Sequence, residues 1–228
     1  MQKRTSWNKG HTKLTHPSLL KMSRTLAAKK KWNFSEWQAK QPKIDYSIDK
    51  SEEWAELVGI TLGDGNIFRF PRTERLIIAC NSKDNKYICH IANLVQKVLK
   101  KKPQIKKCKN TNCIHIKLYQ CHLSKRLQMP SGDKIKNKVA IPEEIGMNRN
   151  LLIRCLKGLF ETDGSFTIDK KNYTRVIEFK NMSRPLLNDV YSGLKGLDYN
   201  PQFGKNYVRL ARKNEVYNFA NLIQFRRY

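Results

Sequence analysis

The chain has 228 residues, room for one large domain or a pair of small ones, and 39% of them are hydrophobic, enough for a packed core. Its 45 Lys+Arg against 19 Asp+Glu leave +26. The surplus is interleaved with Tyr, Phe and Trp along the whole chain, which points to a polyanionic partner, DNA or RNA. No apolar run approaches the roughly 18 residues of a membrane helix, and the basic opening MQKRTSWNKG lacks the apolar stretch of a secretory signal. The expectation is a soluble intracellular protein, in cytoplasm, nucleoid or an organelle, with no membrane partner and no export.

Residues 1–45 form a separate basic region. One helix is predicted there, from Pro17 to about Lys31, with Thr15 or His16 ahead of it and Pro17 in its first turn. It places Leu19, Met22 and Leu26 on one face, too little apolar surface for a core of its own.

From Ser51 the pattern becomes regular. Asp49 to Glu52 has capping-box spacing ahead of a helix through Trp54, Leu57, Val58 and Leu62. NIFRF and ERLIIACN read as a hairpin around Pro71-Arg72-Thr73. A helix follows from about Asp84 to Lys101 and stops before Pro103. QIKKC and CIHIKLY form a second hairpin, and a short helix runs to about Leu127. The first half thus spans 46–128, and the polar stretch 129–148 is a connector.

The order then recurs over 149–228. A helix covers roughly Arg149 to Thr162, strands SFTID and TRVIEFKN follow, and a helix runs from about Arg184 to Leu197. PQFG and NYVRLAR make the last hairpin, ahead of a helix to Phe225. Gly158 less Gly59 is 99, Asn181 less Asn81 is 100, and Pro201 less Pro103 is 98. Three landmarks in one register argue for duplication.

The two copies share one motif. LVGITLGDG (57–65) and LKGLFETDG (156–164) each end an apolar helix in Asp-Gly, with small residues one turn apart at Gly59 and Gly63, and at Gly158 and Thr162. Residues four apart share a helix face, and small ones allow two helices to approach closely. If these helices pack together, their C-terminal ends bring Asp64 and Asp163 together. Two carboxylates converging there repel each other unless a divalent cation lies between them, and hard oxygen ligands suit Mg2+. Glu161 stands where the first copy has Leu62, so it reads as a helix-end group rather than a shared ligand.

Six cysteines are present: Cys80, Cys89, Cys108, Cys113, Cys121 and Cys155. Cys108, Cys113, His115, Cys121 and His122 crowd together, which raises zinc. Their spacing matches no usual knuckle, and Cys113 and His115 alternate with Ile114 and Ile116 as a strand does, so zinc is set aside.

The paired motifs resemble those of single-chain, two-motif LAGLIDADG homing endonucleases over residues 50 to 228. The resemblance implies an α+β fold of two pseudo-symmetric αββαββα halves, each a saddle-like antiparallel sheet, with the motif helices packed at the interface. It implies a monomer that binds a long double-stranded DNA site in the major groove and cuts both strands with Mg2+, as an intron-encoded homing enzyme. The family's metal-binding acid falls on Asp64 and Asp163, which are both retained. The polar residue that orders water falls on Asn81 and Asn181, where the family often has Gln. The active-site lysine is Lys134 in the connector, with Lys83 and Lys180 as alternatives. WNKG and THPSLLKMSRTL resemble small DNA-binding modules attached to homing nucleases.

Strand alternation nominates groove-facing side chains: Arg69, Arg75, His115, Lys117, Thr167, Arg175, Lys205, Tyr207 and Arg209. One conflict stands, because Asn181 on the groove face would carry Ile177 and Phe179 there too, unless a bulge intervenes. The rival functions are an RNA-binding intron maturase, for which intron RNA is the partner, and a catalytically silent DNA-binding regulator. An intein finds no support, since neither end carries splicing-domain sequence.

Overall fold

The computed structural model describes residues 8–28, 50–109 and 111–226. It divides into two compact units, 1–45 and 46–228. In the first, α1 (Pro17–Ala28) follows a turn in which the Thr15 hydroxyl accepts from the Thr12 N–H and donates to the Thr12 carbonyl. Met22 and Leu26 are exposed on it. The remainder of the expected helix, to Lys31, lies outside the described residues.

In the larger unit, α2 (Glu52–Gly63) is capped by Ser51, whose hydroxyl accepts from the Trp54 N–H at 3.1 Å. Asp49 of the expected capping box lies outside the described residues. The antiparallel strands β1 (Gly65–Arg69) and β2 (Glu74–Asn81) follow, then α3 (Asn85–Leu99), β3 (Gln104–Lys107), β4 (Cys113–Gln120) and the single turn α4 (Leu123–Arg126). The second copy repeats this as α6 (Arg149–Asp163), β5 (Gly164–Asp169), β6 (Thr174–Lys180), α7 (Arg184–Gly196), β7 (Gln202–Phe203), β8 (Tyr207–Leu210) and α8 (Lys213–Leu222). Two four-stranded antiparallel sheets result, ordered β1-β2-β4-β3 and β5-β6-β8-β7. This is the α+β architecture that the repeated pattern implies. No described helix is long and apolar enough to cross a membrane.

One core unites both halves, because α2 and α6 are buried along most of their length and pack along each other. Their glycines permit the approach. A Cβ on Gly59 would lie 2.1 Å from the Cys155 carbonyl oxygen, and one on Gly158 would lie 2.4 Å from that of Glu56. Further along, Thr162 fills the space a Cβ on Gly63 would need.

The connector is more than a tether. It holds the short helix α5 (Glu143–Met147), which its polar composition did not announce, and it buries Met129 and Val139. Its backbone is bonded into both halves: Gly132 N–H donates to Ile67 O at 2.8 Å, and Ile141 N–H donates to Asp189 Oδ2 at 2.7 Å.

Candidate active site and nucleic-acid face

The site forms where the motif helices end. Asp64 is the C-cap residue of α2, and Asp163 is the last residue of α6. The tight seam between these helices, with Gly63 against Thr162, carries both carboxylates to one place. Asp64 is exposed as a residue and Asp163 half-buried, while the Asp64 carboxyl is itself partly desolvated. Burial raises the proton affinity of both acids, and the charge of Asp163 adds to the effect at Asp64.

Two further polar groups converge there. Asn181 Nδ2 donates to Asp163 Oδ2 at 2.8 Å, while its Oδ1 accepts from the Ser183 N–H at 2.8 Å, so both ends of the amide are held. Lys134 Nζ donates to Leu62 O at 2.9 Å and to Gly63 O, satisfying carbonyls left open at the end of α2. Burial depresses its proton affinity, and Asp163 and Asp64 pull it back up. The connector thus inserts one ammonium beside two carboxylates.

Asn81 does not join them. It is exposed at the end of β2, and its Oδ1 accepts from the Lys83 N–H at 3.1 Å. The reason is register. Gly65 after the first Asp faces Ile78, whereas Gly164 after the second faces Phe179. Counting from those pairs, the residue that matches Asn181 is Cys80, not Asn81. Cys80 is buried, and burial, followed by the charge of Asp64, pushes its thiol up to about 12. The site is therefore chemically unequal: an amide beside Asp163 and a neutral thiol near Asp64.

The same register settles the Asn181 conflict. Ile177 and Phe179 are fully buried, and Asn181 continues their helix-side face just past the end of β6. No bulge is needed, because Asp163 also lies on that side. Of the other lysines considered, Lys180 pairs with Glu178 at 2.9 Å. Glu161 turns away from the aspartates and accepts from the Arg226 N–H at 3.2 Å; burial pushes its carboxyl up to about 7.

On the sheet faces away from the helices, the structure places Arg75, His115 and Lys117 in the first half, and Thr167, Tyr207 and Arg209 in the second. Lys205 is exposed in the turn between β7 and β8. Two expected groove residues belong elsewhere. Arg69 pairs with Glu74 on the face that carries buried Ile67 and Leu76, and is exposed only because its strand ends there. Arg175 shares the face of Ile177, and its Nε donates to Tyr217 Oη on α8 at 2.7 Å. A one-residue change of register reverses every side chain of a strand.

The alternation also brings further groups, not expected from the sequence, to those faces. Phe68 stands beside Arg75, whose guanidinium lies 5.5 Å from its ring centroid, and Gln202 accepts from Arg209 Nε at 2.8 Å. Hairpin pairing identifies them, and pairing is not visible in composition.

With this geometry in hand, residues 150–228 match the family model of a LAGLIDADG-like domain. Among solved structures, the chain is similar to the homing endonuclease I-DmoI in complex with DNA and Mn: 21% identity over 78% of this chain and 98% of that one, TM-score 0.55. It is also similar to full-length DUF199/WhiA from Thermatoga maritima, at 17% identity over 79% of this chain and 58% of that one, TM-score 0.56. The N-terminal LAGLIDADG domain of DUF199/WhiA matches at 18% identity over 81% and 88%, TM-score 0.54. At these identities the likeness is one of fold, and it extends through both halves. No curated protein matches the chain.

Proposed function

We propose that the protein is a site-specific double-strand DNA endonuclease, acting as a monomer with a divalent metal, Mg2+, in the manner of intron homing. The observation that carries this reading is the convergence of Asp64 and Asp163 at the ends of two helices packed through glycine, beneath sheet faces rich in basic and aromatic side chains. The likeness to I-DmoI, solved with DNA and Mn and with its target DNA in the presence of Mg, supports it.

The residues present fit a hard cation. Two carboxylates whose charges oppose each other in a crowded place are stabilised by a dication between them, and oxygen donors match Mg2+. Asp64 and Asp163 would hold it; when bound, it contributes charge stabilisation at a phosphodiester and an activated water. Asn181 fixes the Asp163 carboxylate, and Lys134 adds a positive charge near both acids. Arg75, Lys117 and Arg209 hold the duplex through phosphate and base-edge contacts. Residues 1–45, with their basic sequence, extend this contact along the DNA.

Incubating the protein with a randomised DNA library and Mg2+, then sequencing the cut ends, tests the reading. A recurrent double-strand break in one sequence supports it, and uncut DNA under conditions that give tight binding overturns it. The latter result would favour a second reading, a binding protein that does not cut, for which the neutral Cys80 near Asp64 is the supporting feature.

A further inference from the structure

We infer that Cys108, Cys113 and His115 form a zinc site on the outer face of the first sheet, separate from the aspartates. Strand alternation, which from sequence alone argued against zinc, is what assembles it. Cys113 and His115 are two apart on β4 and so share a face. Lys107 faces Ile114, and Lys106 faces His115, so the next step of the ladder sets Cys108 opposite Cys113. The Cys108 N–H donates to Cys113 O at 2.9 Å, which closes the ladder at that point. The three possible ligand atoms lie within 4.8 Å of one another, and Cys108 Sγ stands 3.4 Å from His115 Nδ1.

That separation is close to what zinc requires. With Zn–S of about 2.3 Å and Zn–N of about 2.0 Å, the edge of a tetrahedron between sulfur and nitrogen is about 3.5 Å. The cross-strand neighbour of His115 on β2 is Ala79, whose small side chain leaves the face open beside the cluster. All three ligand residues are half-buried, neither sealed in the core nor free on the surface. Cys121 lies eight residues beyond Cys113, roughly 25 Å along an extended chain, and its thiol donates to Arg72 O. It belongs to the other end of the sheet and is no ligand here.

The donor set decides the ion. Two thiolates and an imidazole select zinc over the hard cation suited to Asp64 and Asp163. Two thiolates also neutralise the dication, so the site adds no net charge to a face that already carries Lys106 and Lys117. Three protein ligands leave the fourth position to water. Bound there, zinc would staple the β3–β4 hairpin across the strand end that faces Asn81.

Cobalt(II) is the probe. The full chain, reduced and freed of metal, is titrated with cobalt(II) and then zinc, while thiolate-to-cobalt charge-transfer absorption is recorded. The expected result is saturation at one equivalent and displacement by zinc. Cys108→Ser and Cys113→Ser should each weaken that absorption at one equivalent and His115→Ala should weaken cobalt binding, while Cys89→Ser and Cys121→Ser match the parent; far-UV circular dichroism checks that each variant folds. Carboxylate-bound cobalt gives no such band, so the readout is blind to Asp64 and Asp163. Absence of the band in the reduced parent chain, or its persistence at full intensity in Cys108→Ser and Cys113→Ser, would each overturn the proposal.

Discussion

The helix seam makes a quantitative prediction. Gly59→Ala puts a Cβ 2.1 Å from the Cys155 carbonyl oxygen, and ordinary contact begins at 3.4 Å, so 3.4 less 2.1 leaves 1.3 Å to be gained. Gly158→Ala meets Glu56 O at 2.4 Å and Ile60 N at 2.6 Å. In each case the obstacle is the backbone of the other helix, which cannot rotate aside. Overpacking a core costs about 1–3 kcal/mol, and here the upper end applies. Alanine returns about 1 kcal/mol of helix propensity, so the net loss is about 2 kcal/mol. For a unit of this size that lowers Tm by about 4–8 °C. Gly196→Ala in α7 is the control, because its Cβ meets nothing within 4 Å, and it should be neutral or slightly stabilising. Urea unfolding and thermal melts measure all three variants. Cleavage should fall further than stability, because a widened seam draws Asp64 and Asp163 apart. If Gly59→Ala and Gly158→Ala unfold like Gly196→Ala, the close-packed seam is wrong, and the convergence of the aspartates loses its structural basis.

Asp64→Asn and Asp163→Asn should each abolish cleavage in Mg2+ while DNA affinity stays near the parent value; wild-type cutting by either refutes the site. Lys134→Met removes the donor to Leu62 O and Gly63 O and should reduce cleavage more than DNA binding, as single-turnover and equilibrium assays report. Lys117→Ala should flatten the salt dependence of binding by about 0.9 in the log–log slope for one lost phosphate contact. Arg175→Ala should leave that slope unchanged, since its guanidinium is bound to Tyr217; equal effects would contradict the assignment of faces. Deleting residues 1–45 should weaken binding and shorten the footprint on one side without moving the cut.

How much was legible in the sequence follows the range of the interactions involved. The helix periods, the turn residues between strands and the doubled Asp-Gly signal are local, and they suffice for the element order of the two halves, though not for α5 in the connector, and to nominate Asp64 and Asp163 as a pair. Lys134 was legible only through a resemblance, since nothing local says that a connector lysine will donate to the end of α2. Register was not legible. It depends on which residue each hairpin turn leaves opposite which, and the two β-hairpins differ in this although their sequences run in parallel. A shift too small to disturb the repeat sends Arg175 to the helix side while Arg75 faces outward, and it matches Asn181 with Cys80 rather than Asn81. The cysteine cluster rests on the same physics. Cys108 and Cys113 are joined by a hydrogen-bonded cross-strand pair, and only the folded ladder makes neighbours of them and His115. Local propensity determines the elements of this chain, and strand pairing decides which side chains they present together.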